Sequence, residues 1–153
     1  MIPTDLLITL GGNAIFTVLM VAMGFFVYLH NKDREINFLF FYMCMAIAIF
    51  GSGFVFAGLI SDPEVAYRVW FTNILDVFIT TSAVHVMIRV SDEQVRFRWY
   101  LHLTYILGFI ILGVALMFPL WFLPEVVPKL YFLTYLEGGP WYSVMLAYFL
   151  GMP

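Results

Sequence analysis

Four long apolar runs, with almost every charge confined to the gaps between them, leave this chain few ways to fold. The runs cover residues 6–29, 36–60, 69–88 and 99–118, and only Asp76 lies deep inside one. About 20 apolar residues cross roughly 30 Å of hydrocarbon as a helix. Lipid offers a free backbone amide no partner, so helices, whose amides bond internally, are the viable form. The runs lack the alternation of an outer-membrane barrel strand. With 63% hydrophobic and 11% charged residues, the chain does not have the mix of a water-soluble domain. The sequence therefore predicts a single all-α domain over residues 1–153, a polytopic membrane helix bundle of four full spans. A fifth apolar segment, residues 141–150, covers only half a span at about 1.5 Å per residue and reads as a partial or interfacial helix.

Basic residues set the expected orientation. The turn after the first run, residues 30–35, carries Lys32 and Arg34; the turn after the third carries Arg89, Arg96 and Arg98. The opposite side holds Arg68 and Lys129 among the acids Asp5, Asp62, Glu64, Glu125 and Glu137. The amino terminus is thus expected outside, with the first and third turns in the cytoplasm. No basic stretch precedes the first run, so it reads as a span rather than a cleaved leader. Trp70, Trp121 and Trp141 are expected at the outer interface and Trp99 and Tyr100 at the inner one, as an aromatic belt. Residues 119–140, interrupted by four prolines, read as an outer loop whose Leu120, Trp121, Phe122, Tyr131 and Phe132 lie on the membrane or cap the bundle. If the last helix enters the bilayer, its terminal carboxylate sits near mid-membrane, at a cost. Either the sequence is a piece of a longer protein, or this segment lies along the interface or against a partner subunit.

Polar groups inside spans are where membrane proteins keep function. Asn73, Asp76 and Thr80 follow i, i+3, i+7 spacing and form one stripe, flanked by Thr72. Asp76 reads as a ligand-binding, proton-accepting or ion-sensing carboxylate, or as an acid that knits helices through Asn73 and Thr80. Asn13, with Thr17, is placed on the first helix facing Asp76 across the bundle. His85 closes the third helix and His102 opens the fourth, so a helical hairpin sets them at similar depth. Such a pair holds haem b in membranes, and a single histidine can ligate a chlorophyll-type pigment; otherwise both are interfacial side chains with wet tips. No cofactor and no metal is expected.

Small residues mark helix contacts: Ala48/Ser52 and Gly53/Ala57 on the second helix, Gly12 and Gly24 on the first, Gly108 and Gly113 on the fourth. The lone Cys44 reads as packing. The sequence contains no phosphate-binding glycine loop, HExxH, nucleophile elbow or CxxC, so the expected function is not enzymatic. A net charge of −3 without a basic patch argues against nucleic acid as a partner.

The order of features resembles the amino-terminal seven-helix membrane region found ahead of many prokaryotic sensor histidine kinases. The resemblance is carried by the charged turn at residues 31–35, by Tyr67-Arg68-Val69-Trp70 opening the third helix, and by His85 before the polar turn at 89–98. Gly139-Pro140-Trp141-Tyr142, after a long outer loop, completes it. It implies a signal-sensing module of the prokaryotic inner membrane that passes its signal to a cytoplasmic domain. The sequence departs from that pattern in stopping within a fifth helix, in lacking an output domain and in placing Asp76 where an uncharged residue is expected. The competing expectation is a small accessory subunit of a respiratory or photosynthetic membrane complex. In both, the bilayer and other membrane subunits or a downstream signalling domain are the partners.

Overall fold

A computed structural model describes residues 4–32, 34–129 and 132–151. Four segments are long and apolar enough to cross a membrane: Thr4–His30, Glu35–Leu59, Pro63–Val90 and Gln94–Met117. The chain is a multi-pass helical bundle; the first two spans lie close to those expected, and the fourth begins five residues earlier, at Gln94. The first, second and fourth are single helices: α1 (Thr4–His30), α2 (Glu35–Leu59) and α5 (Gln94–Met117). The third differs. It begins six residues before the expected start and is built from α3 (Pro63–Phe71), a 3-10 segment (Thr72–Asp76) and α4 (Val77–Val90).

Local chemistry explains both differences. Asp62 caps α3, its carboxylate accepting from the amides of Glu64 at 2.9 Å and Val65 at 3.2 Å, and Pro63 takes the first helical position. The charges of Glu64 and Arg68 therefore ride on the span, paired at 2.7 Å and exposed. At the break, Thr72 donates its hydroxyl to the carbonyl of Val69 at 2.7 Å. Threonine, asparagine and aspartate compete in this way with α-helical bonding, and a tighter i→i+3 turn results.

The outer loop is not irregular. It contains a helical turn, α6 (Pro119–Phe122), and an antiparallel hairpin of β1 (Glu125–Lys129) and β2 (Phe132–Glu137). Val126 pairs with Leu136 and Val127 with Tyr135, and the register slips between Val127 and Lys129, at Pro128, which has no amide to donate. The hairpin adds β structure to the expected all-α class and lies across one end of the bundle. Thr134 donates to the carbonyls of Ala57 and Ile60, each at 3.0 Å, and Phe132 packs with Leu6 and Leu10 of α1. Phe122 and Phe132 are buried, as capping residues should be, whereas Leu120 and Trp121 are exposed. Asp33 and Tyr131 lie outside the described residues.

Trp70 is not a belt residue. It is fully buried, its indole N–H donating to the carbonyl of Thr134 at 3.3 Å, and its ring meets Phe54 at 4.9 Å and Tyr135 at 5.3 Å edge-on. The hairpin covers a side chain that the bare helix would have left at the interface. Trp99 and Trp121 remain exposed. Around Trp70 the core gathers Ala57, Ala66, Ile74, Val77, Ile111 and Met145. The third span is central: 56% of its most apolar stretch is buried, against 11% for α1. At the other end of the bundle Arg89 pairs with Glu35 and bonds Gln94, joining α4 to α2 and α5.

The last helix, α7 (Pro140–Gly151), packs on α4, α5 and α6. Its Tyr148 hydroxyl donates to the carbonyl of Thr104 at 3.0 Å and meets the hydroxyl of Thr81 at 2.9 Å. Gly108 packs beside this pair: a Cβ at that position would stand 3.2 Å from Thr81 Oγ1 and in ordinary contact, 3.4 Å, with the Tyr148 oxygen.

Candidate functional site: a polar face on the broken third span

Asn73, Asp76 and Thr80 lie where the sequence placed them, along one face, and all three are buried, with 3%, 4% and 3% of their surfaces exposed. Asn73 and Asp76 belong to the 3-10 segment and Thr80 to the first turn of α4. Both amide atoms of Asn73, Oδ1 of Asp76 and Oγ1 of Thr80 are buried without a hydrogen-bond partner among the described residues. Buried polar atoms in folded proteins nearly always have partners, and each one left alone costs about 1–3 kcal/mol. Four such atoms on one face are therefore a feature to be explained. Among the described residues no Lys, Arg or His forms an ion pair with Asp76.

The face packs on α2 through a glycine. A Cβ built on Gly53 would lie 2.6 Å from Asn73 Oδ1, so only a residue without a side chain fits against this carboxamide. Gly53, read with Ala57 as a plain helix contact, is thus part of the site, and its small size was the signal that could have located it. Tyr142 of α7 is a second residue that sequence reasoning missed. Burial, first, and then the charges of Tyr135 and Asp76 hold its phenol above the usual tyrosine range.

Other expected site residues fall elsewhere. Thr72 is exposed and faces away from the stripe. Asn13 does not reach across to Asp76: its side-chain amide donates to the carbonyl of Thr9 at 2.9 Å, and α2 stands between. The reason is angular. Gly51 receives Thr17 of α1, and Gly53 receives Asn73; two residues turn a helix by about 200°, so the contacts sit on opposite faces of α2. Gly24 is buried against Cys44, whereas Gly12 and Gly113 meet nothing within 4 Å.

The two histidines keep separate partners. His85 Nδ1 meets the hydroxyl of Tyr105 at 2.8 Å, and His102 Nδ1 lies 2.6 Å from the carbonyl of Arg98 on its own helix, with the side chain exposed. The described residues contain no group of three or more His, Cys, Asp or Glu able to hold a metal ion. The chain matches no family model, no curated protein and no solved structure.

Proposed function

We propose that this chain is a non-enzymatic membrane module for signal sensing or ligand binding, with the Asn73–Asp76–Thr80 face as its receptive surface. The observation behind this reading is the burial of four unpartnered polar atoms on one face of a broken span. A helix contact that only holds spans together gains from pairing its polar groups. A face that leaves them unpaired gives up stability and keeps groups free for an exchangeable partner. The change from 3-10 to α at Val77 supplies a place where the span can bend, between the hairpin that clamps Trp70 and the end that carries Arg89. The resemblance to the membrane regions of sensor histidine kinases supports the same direction. It adds the prokaryotic inner membrane, an outside amino terminus and a cytoplasmic or membrane-bound recipient of the signal.

The test is hydrogen exchange on the protein in lipid nanodiscs, wild type against Asp76→Asn. A sensing role predicts altered exchange at the Arg89 end and in the hairpin as well as at residues 72–80. A change confined to residues 72–80, with only a small effect on assembly, would reduce the face to packing and favour the accessory-subunit reading.

A further inference from the structure

We infer that Asp76 is a proton-binding site: its carboxyl carries a proton in the bilayer and exchanges it with water bridged to Asn73 and Thr80. This rests on the receptive-surface reading and names its ligand. The first argument is charge. An isolated carboxylate in an apolar interior costs far more than the fold can supply, so it needs a cation or a proton. The basic side chains on the third span are committed elsewhere, Arg68 to Glu64 and Arg89 to Glu35. Among the described residues no basic side chain pairs with Asp76, and a proton on Oδ1 or its twin oxygen neutralises it without one.

The second argument is spacing. Three residues of 3-10 helix separate Asn73 from Asp76, a rise of about 6 Å, and four residues of α-helix separate Asp76 from Thr80, again about 6 Å. Neither neighbour bonds Asp76 directly, since Thr80 Oγ1 and both amide atoms of Asn73 have no partner at all. A water between the carboxyl and each neighbour would bridge them with hydrogen bonds of about 2.8 Å. The face thus offers a bridged acceptor on either side of the acid, one turn away each way. When the proton leaves, the O–H bond breaks, water takes the proton, and the carboxylate remains between a side-chain amide and a hydroxyl that donate to it through water.

The third argument is the set of other titratable groups on the packed elements. These are Glu35, Tyr42 and Cys44 of α2, Glu64, Tyr67 and Arg68 of α3, His85 and Arg89 of α4, Arg96, Arg98, Tyr100, His102 and Tyr105 of α5, and Tyr142 and Tyr148 of α7; Glu35 and Arg89 pair with each other at the far end of the bundle. His85 is engaged with Tyr105, Tyr148 with Thr81 and Thr104, and Arg68 with Glu64.

Infrared spectroscopy of the whole chain in nanodiscs tests this, with an isotope label on the aspartate side-chain carboxyls to separate them from glutamates and Asp76→Asn to assign the band among the five aspartates. The expected result is a protonated-carboxyl band at neutral pH, where exposed aspartates are ionised. It should shift with the label, exchange in heavy water, and disappear as the pH rises while the protein stays folded. Asp76→Asn should abolish the band, and Thr80→Val should slow its exchange several-fold. Absence of the band at neutral pH would overturn the inference, and so would a band that neither exchanges nor titrates. In either case the hydrogen-exchange response to Asp76→Asn still decides the receptive-surface reading separately.

Discussion

Gly53→Ala tests the packing on which the candidate site depends. The new Cβ would lie 2.6 Å from Asn73 Oδ1, and ordinary contact begins at 3.4 Å, so the carboxamide must retreat by the 0.8 Å between them. Asn73 is 3% exposed and held in the 3-10 segment, so the retreat has to move backbone or neighbours. Overpacking of this kind costs about 1–3 kcal/mol. A double-mutant cycle isolates the contact, because Asn73→Ala removes the atom that clashes. The expected coupling between Gly53→Ala and Asn73→Ala is at least about 1 kcal/mol, in the sense that the second change relieves the first. Cys44, the lone cysteine and fully buried, supplies the assay: a thiol-reactive dye reports unfolding of detergent-solubilised protein as it is heated. Gly113→Ala, with nothing within 4 Å of its added Cβ, is the control and should be neutral or slightly stabilising. Additive effects, or a Gly53→Ala protein as stable as wild type, would refute the contact and with it the placement of the polar face against α2.

Tyr148→Phe removes the hydroxyl shared with Thr104 and Thr81 and should loosen α7 by about 1–1.5 kcal/mol. Hydrogen exchange should then quicken in α7 while α1 and α2 stay unchanged; uniform quickening would mean that α7 is not held locally. Thr134→Val keeps shape but removes the hydroxyl that bonds the carbonyls of Ala57 and Ile60, at about 1–2 kcal/mol. Trypsin cleavage at Lys129 should accelerate, and an unchanged rate would show that the hairpin does not depend on this clamp. Glu35→Gln removes a half-exposed ion pair with Arg89 and should cost under about 1 kcal/mol, diminishing further in high salt; a larger loss would mark the pair as an anchor between α2 and α4.

The sequence alone determined the number and approximate position of the spans, because transfer of a long apolar segment into lipid depends on its own residues and hardly on its neighbours; the capped start of the third, six residues early, was not read from apolarity. It also determined that Asn73, Asp76 and Thr80 share a face, since helical spacing is local. Tertiary structure decided what that face meets. Gly51 and Gly53 differ by two positions, yet one serves α1 and the other the third span, and only the assembled bundle shows which. Asn13 was misplaced for that reason. Trp70 carries the same lesson: its position near the end of a span suits an interface, and the hairpin, an element distant in sequence, buries it. The separate partners of His85 and His102 follow from rotation about helix axes, which spacing along the chain does not fix. Span and stripe are read from free energies that each segment carries by itself; partners, clefts and unpaired atoms arise only where segments meet.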